Sequence, residues 1–407
     1  MTTFEQIAER ERQYLLGTYS RYPIVLARGK GVFLYDIEDK RYLDFVSGLG
    51  VNALGHAHPR IVKAIREQAA KLVHVSNLYY HEYQGPLAEK LCGLAAGTSG
   101  QKFRAFFSNS GTEAIEGSIK LARLAGHRAG GEAKSRLVAL EGSYHGRTFG
   151  ALSLTGQDKH RKGFEPLLED VTFVKQNDLE GLRSAVSDNT CAIVLEPIFG
   201  EGGIYECSPE FLQECRALAD RHKVALIFDE IQCGLGRTGT IFAFQSFEVT
   251  PDIVAIAKPI AAGLPLGAFI AKEEFATAIS PGQHGTTFGG GPLACRVALE
   301  FLAIVEEEKL LENVNKVGAY LQQQLKEVVE KRAAAKGVRG RGFIQGIQLD
   351  IPARPIVDDA LAEGVLFNST QDTVVRFLPP FLMEEKHVDK GIRVLKKLLG
   401  KKRKAAA

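Results

Sequence analysis

The stretch Leu226–Gly239 reads LIFDEIQCGLGRTG and carries two competing signals. Its second half, GLGRTG (Gly234–Gly239), matches G-x-G-x-x-G, the glycine pattern of dinucleotide-binding loops. Its first half is an apolar run that ends in two acids, Asp229 and Glu230. A dinucleotide loop must leave a strand directly and open a helix, because the pyrophosphate docks on the free N–H groups of that helix's first turn. Here five residues, Asp229 to Cys233, intervene, and Gly239 is followed by TIFAFQSFE, which is aromatic and lacks a helical period, and then by Thr250-Pro251. No crossover helix fits. The glycines are assigned to a turn, and the acids become the informative part.

Working outward, short apolar runs alternate with helical patterns from about 103 to 271, which predicts βαβ units and a mostly parallel sheet. Strands are predicted at 104–107, 137–140, 191–195, 224–228, 253–257 and 267–271. Three of these runs end in charged groups: AIVL at Glu196, ALIF at Asp229-Glu230 and IVAIA at Lys258. One such charge reads as a solvated loop residue. Three on neighbouring strands converge on one crevice, where open α/β sheets bind ligands. Lys258 lies between Ala257 and Pro259. Desolvation there would depress its pKa, as a Schiff-base nucleophile requires.

The segment FFSNSGTEAIEGSIKLARLAG (Phe106–Gly126) runs from a strand into a helix with apolar residues at 115, 119 and 122. Ser110, Gly111 and Thr112 fall at its N-terminus, where two readings stand side by side. One is an ordinary cap, with Glu113 three residues after Ser110. The other is a phosphate site on free N–H groups. A phosphate site, a strand-end lysine and a strand-end aspartate are the parts needed to hold pyridoxal phosphate.

The bulk numbers set no field against this. The 407 residues carry 51 basic and 48 acidic side chains, a net charge of +3, so neither nucleic acid nor a membrane surface is implied as a partner. MTTFEQIAERERQ has no apolar signal core, and no apolar run approaches the ~20 residues of a membrane helix. Six scattered cysteines without a C-x-x-C pair suit reduced thiols, so a cytoplasmic protein is expected. The terminal KKLLGKKRKAAA is read as a solvated tail after a last helix. Pro292 opens a helical stretch, another is predicted over about 310–331, and GFIQGIQLDI and TVVRFLPP read as strands of a smaller α+β domain. GVFLYDIEDKRYLDF reads as a hairpin turning at Glu38-Asp39-Lys40. The expected division is an N-terminal segment 1–48 packing with the small domain, a large domain 49–290 and the small domain 291–407.

With these pieces in place the chain resembles the class III pyridoxal-phosphate aminotransferases of fold type I. The motifs are YDIEDKRYLDFVSG, GHAHP, NSGTEAIE, HGRTFGAL, EPIFGEGG, LIFDEIQCGLGRTG, DIVAIAK, GTTFGG and VVRFLPP, spread over nearly the whole length. The resemblance implies a large domain with a mostly parallel seven-stranded sheet, a smaller α+β domain and a homodimer with shared sites. It implies that Lys258 bonds the cofactor and moves the proton, that Asp229 pairs with the ring nitrogen and that Gln232 meets the ring's phenolic oxygen. Ser110, Gly111 and Thr112 would hold the phosphate with Thr287 of the partner subunit. Tyr144 would stack on the ring and Glu196 would support the Asp229 region. His145 either reaches the cofactor or packs beside it.

For substrate, Arg147 matches the family's carboxylate-binding arginine, and a planar fork suits that task. Arg376 matches the one that takes the α-carboxylate of glutamate or 2-oxoglutarate, and Glu201 the acid that pairs with it when an amine donor is bound. Thr286, Tyr19 and Leu49 would line the same pocket. Leu49 stands where ornithine-specific relatives tend to carry tyrosine. That favours an acylated donor over free ornithine; the expected donor is N2-acetylornithine, with ornithine, succinylornithine, N-acetyllysine or 4-aminobutyrate as the alternative donors and arginine biosynthesis as the setting. Pro259, Phe199 and Gly291 depart from the family's usual residues. His56 and His58 form H-x-H without a third ligand, so no metal is expected. Glu230 is read as a supporting or helix-start acid.

Overall fold

The computed structural model describes residues 3–400; the basic run beyond Gly400 lies outside them. Seven apolar runs pair into one sheet: β1 (Phe103–Ser108), β2 (Arg136–Leu140), β3 (Val171–Val174), β4 (Thr190–Leu195), β5 (Ala225–Asp229), β6 (Ile253–Ile256) and β7 (Gly267–Lys272). Their order is β1-β7-β6-β5-β4-β2-β3. Neighbours from β6 to β3 are parallel, and β7 is antiparallel to both β1 and β6. That double reversal points β1 the same way as the parallel strands. The carboxyl ends of β1, β4, β5 and β6 therefore share one edge, which carries Ser110, Glu196, Asp229 and Lys258.

All six runs predicted as strands are found. The seventh, β3, is a four-residue edge strand with alternating partial exposure, so it lacks the continuous apolar character that marks the central strands. By contrast β4 and β5 are buried at every position. The helix Gly111–Gly130 covers one face and buries Ile115, Ile119 and Ala122, the stripe expected from its spacing. Helix Pro209–His222 buries Phe211, Leu212 and Leu218 in the larger cluster on the other face.

The predicted hairpin pairs Phe33–Asp36 with Arg41–Asp44, Phe33 opposite Leu43. Asp36 Oδ1 accepts the N–H groups of Glu38 and Lys40, both at 2.9 Å, and Asp39 turns the chain with φ +61°. Strand Arg41–Asp44 also pairs in parallel with Val365–Leu366, stitching the N-terminal chain to the C-terminal region. That region contains helices Pro292–Glu307, Leu310–Lys331, Arg354–Ala362 and Glu385–Leu399, and an antiparallel sheet of Ala335–Arg341, Ile344–Leu349, Val374–Phe377 and Asn368–Thr370. The six cysteines are free thiols, and no helix among the described residues is long and apolar enough to cross a membrane.

Candidate active site

At the shared carboxyl edge lies a cavity of about 440 Å³. Ser110, Gly111, Thr112, Tyr144, His145, Arg147, Glu196, Glu201, Asp229, Gln232 and Lys258 all line it. Residues from five separate segments, up to 148 positions apart (Ser110 to Lys258), thus meet as the strand-end argument expects. A larger cavity of about 610 Å³ lies between residues 21–56 and 357–368. It is mostly aliphatic and holds none of Glu196, Asp229 and Lys258, so the smaller one is the candidate reaction chamber.

Lys258 follows β6 at φ +34°, a left-handed conformation unusual for a side-chain-bearing residue. Its ammonium has no hydrogen-bonding partner among the described residues. Burial lowers its pKa; the nearby Glu201 and Asp229 oppose that shift without cancelling it. The amine is thus pushed toward the uncharged, nucleophilic form. Asp229, at the end of β5, is 4 % exposed. Its Oδ1 accepts the Ile231 N–H at 3.0 Å, and its Oδ2 meets His145 Nδ1 at 2.7 Å. Burial disfavours a charged His145, but the bond to Asp229 and the charges of Asp229 and Glu196 outweigh it and raise its pKa. His145 Nε2 is buried without a partner. His145 is thus bonded to the strand-end aspartate.

Glu196 is held by two backbone donors, Tyr144 N–H at 2.8 Å and Gly200 N–H at 2.9 Å. Burial, then the neighbouring Asp229, push its pKa up. It ties two loops of the chamber together. Glu230 points elsewhere. Its two oxygens accept the N–H groups of Ala243 and Phe244 at 2.6 and 2.7 Å, fixing the short 3₁₀ turn Ala243–Ser246. Glu230→Ala should orphan both buried donors and destabilise the fold by about 1–3 kcal/mol for each. A shift in the denaturant midpoint would measure it.

Arg376 is 1 % exposed and sits behind the chamber wall. Its Nη1 donates to Glu201 Oε1 at 2.6 Å, Gly200 O at 2.7 Å and Gln232 Oε1 at 3.2 Å. Its Nε and Nη2 both reach Asn368 Oδ1, at 2.9 and 2.6 Å. Burial would raise the Glu201 carboxyl, but the Arg376 charge and hydrogen bond hold it below the usual range. The sequence pattern offers no sign of Asn368; it is found because Asn368 and Arg376 are cross-strand partners.

At the helix entry the cap expected at Ser110 is formed. Ser110 Oγ accepts the Glu113 N–H at 3.3 Å, and Glu113 reaches back to the Asn109 N–H at 2.6 Å, so a cap is present. That cap leaves the first-turn N–H groups of Gly111 and Thr112, which have no intrahelical acceptor, on the chamber wall. Arg147 Nε donates to the Tyr144 hydroxyl at 3.2 Å. Besides Arg376, four expected residues do not line the chamber within one chain. Thr287 is exposed on its loop, and Thr286 Oγ1 accepts from Asn109 at 3.1 Å. Tyr19 lines a groove formed by residues 4–26, and Leu49 is 40 % exposed.

A family model described as aminotransferase class-III matches residues 17–399. The chain belongs to the class III aminotransferases. This aminotransferase is 45 % identical over 386 residues to acetylornithine aminotransferase of Aquifex aeolicus, covering 95 % of this chain and 100 % of the relative. It is 44 % identical to acetylornithine aminotransferase of Methanocaldococcus jannaschii, covering 96 % and 97 %. Among solved structures, it superposes on ornithine aminotransferase of Toxoplasma gondii with a TM-score of 0.92 at 31 % identity, covering 98 % and 95 %. Acetylornithine aminotransferase of Elizabethkingia anophelis gives 0.86 at 30 %, covering 98 % and 99 %.

The chamber suits the cofactor these enzymes imply. An unpartnered lysine amine, a buried aspartate backed by an imidazole and two open first-turn amides match, in turn, an aldehyde, a ring nitrogen and a phosphate.

Proposed function

We propose that this aminotransferase moves the terminal amino group of N2-acetylornithine to 2-oxoglutarate through pyridoxal phosphate, releasing N-acetylglutamate 5-semialdehyde and glutamate. The observation that carries the proposal is the Arg376–Glu201 pair beside Lys258. While paired, Arg376 presents no free charge, so an uncharged terminal-amine carbon can enter without leaving a cation unmatched. When Glu201 turns away, the arginine's fork meets the α-carboxylate of 2-oxoglutarate. The names of the curated relatives support the acylated donor, and Leu49 lacks the hydroxyl that would favour free ornithine.

When bound, pyridoxal phosphate supplies an aldehyde that bonds amines and a protonated ring that draws off electrons from the carbon losing its proton. The chain's residues do the rest. Lys258 would hold the cofactor between turnovers, and its freed amine would take the proton from the reacting carbon of the donor. Asp229, held by His145 and the Ile231 amide, keeps the ring nitrogen protonated. Ser110, Gly111 and Thr112 bind the phosphate, joined by Thr287 of the partner subunit in a homodimer. Tyr144 covers the ring, a π surface equivalent to phenylalanine. Gln232 contacts the phenolic oxygen, and Glu196 fixes the Tyr144 and Gly200 loops. Arg147 grips the donor's carboxylate, and Thr286, Tyr19 and Leu49 border it.

The test is a half-reaction. Cofactor-loaded protein mixed with N2-acetylornithine and no keto acid should lose its visible absorbance rapidly and regain it on adding 2-oxoglutarate. Faster bleaching by ornithine or 4-aminobutyrate would reassign the donor. A second measurement addresses the gate. Glu201→Ala frees Arg376, and a hydrogen bond to a charged group contributes about 1.5–3 kcal/mol, so the ratio of acetylornithine to glutamate rates should fall by roughly 10- to 100-fold. An unchanged ratio would remove Glu201 from that role.

A further inference from the structure

The glycine loop that opened the sequence question has no part in the chemistry above, yet it carries a fully buried cation. Arg237, in GLGRTG, is 0 % exposed. The turn around it is shaped by close approach to the C-terminal region. Gly236 and Gly239 have φ of +98° and +94°. A Cβ on Gly236 would meet Phe381 at 2.8 Å, and one on Gly239 would collide with Asn315. Arg237 lies over the Phe381 ring at 4.7 Å. Its fork reaches three separate segments through backbone carbonyls: Nη1 donates to Phe343 O at 3.3 Å and to Pro379 O, and Nη2 to Gly50 O at 3.3 Å. No carboxylate pairs with it directly among the described residues. Burial pulls its pKa down to about 9, and Asp44 is the acid that opposes this.

Gly50 closes a strained loop. Ser47, Gly48, Leu49 and Gly50 all have positive φ, at 44°, 64°, 64° and 89°. Two of the four carry side chains, for which this region is unfavourable, so the conformation persists only if its surroundings over-determine it. Asp44, 1 % exposed, secures the entry: its Oδ1 accepts the N–H groups of Val46 and Ser47 at 2.8 and 2.9 Å. Its Oδ2 meets His56 Nε2 at 2.7 Å, which places the first histidine of the H-x-H pair in a structural role. Ser47 Oγ donates to Leu378 O at 2.5 Å. Arg237 secures the exit through Gly50 O. The loop's first amides thus face a carboxylate and its last carbonyl faces a guanidinium, opposite charges matched to opposite ends. Behind Gly50 stands the reactive lysine: a Cβ added there would lie 3.9 Å from Lys258 Cδ and 3.9 Å from Arg237 Nη2.

We propose that Asp44 and Arg237 form a charge clamp that holds Ser47–Gly50 against the Lys258 stem, which makes Arg237 a positioning residue for the reacting amine. The clamp's catalytic consequence rests on Lys258 being that amine. The guanidinium spreads its donors over two nitrogens, Nη1 toward Phe343 O and Pro379 O and Nη2 toward Gly50 O, a spread that a single ammonium does not reproduce, so lysine is not equivalent here. Lys258 serves both half-reactions, so loosening its wall should slow both, with any extra loss on the acetylornithine side coming through Leu49, whereas a residue that contacts one substrate only would affect one.

The test combines rates with backbone protection. In Arg237→Met, single-turnover rates per cofactor-loaded site should fall by on the order of 10- to 100-fold with acetylornithine and with glutamate both, as expected for a small misplacement of a reacting group. In cofactor-free protein, amide exchange over residues 47–52 should accelerate at least ~10-fold relative to β5, as local opening demands. Asp44→Asn should produce the same local exchange. Arg237→Lys, which keeps the charge and loses the fork, should fall between, and it replaces the methionine variant if that one does not fold. Rates within about threefold of the parent, a fall in only one half-reaction, or unchanged exchange over 47–52 would each overturn the clamp. If the parent protein shows no lysine-dependent half-reaction, the role of Lys258 fails instead, and the exchange comparison still decides whether the clamp exists.

Discussion

Lys258→Ala is expected to abolish turnover, with a fall of at least ~10⁴-fold, because a positioned general base and a covalent hold on the cofactor are lost together. The expectation comes from the side chain's setting. Every other charged group on the chamber floor is engaged: Asp229 by His145, Glu201 by Arg376, Glu196 by two amides. Lys258 alone among these has no hydrogen-bonding partner, and burial depresses its pKa. A lysine kept there merely for charge balance would be ion-paired. Borohydride reduction of the pyridoxal-phosphate-loaded parent should add the cofactor's mass to the peptide containing Lys258, and the variant should gain nothing. Turnover retained within about tenfold, or labelling at another lysine with activity intact, would transfer the role elsewhere.

What could be read in the sequence divides along physical lines. Strands buried on both faces announce themselves as continuous apolar runs, so β4, β5 and β6 and the charges at their ends were legible, and the common edge followed from strand direction. The half-exposed β3 gave no such run. The stripe at 115, 119 and 122 fixed the helix and its buried face, but spacing could not separate a cap from an anion site, because the same serine serves as cap while the next two amides stay open. Contacts set by long-range register were illegible. Asn368 meets Arg376 only because two short strands align, and His145 meets Asp229 across 84 positions. The motif carried the opposite lesson in GLGRTG. Its glycines were read as a turn, yet what they do depends on Phe381 and Asn315 pressing on that turn from the far end of the chain.

Asp229→Asn is the second large effect, and its logic separates charge from shape. Asparagine keeps the size and can still accept the Ile231 N–H, so the end of β5 should keep its conformation. It loses the negative charge that faces the chamber and that raises the pKa of the buried His145. Without it a protonated ring nitrogen would sit beside a neutral amide in a site with little water, where the attraction of a fixed opposite charge is strongest. Removing one preorganised electrostatic partner from such a site costs on the order of 10²–10³-fold in turnover. Asp229→Asn is expected to show that fall, together with weaker retention of pyridoxal phosphate and a changed absorbance of the bound cofactor. His145→Gln provides the comparison. It leaves the carboxylate in place with a neutral neighbour, so its loss should be smaller than that of Asp229→Asn. Equal losses would mean that the pair acts as one unit through the imidazole. Near-parent turnover in Asp229→Asn, with cofactor retention unchanged, would mean that the ring nitrogen finds its partner elsewhere in the chamber.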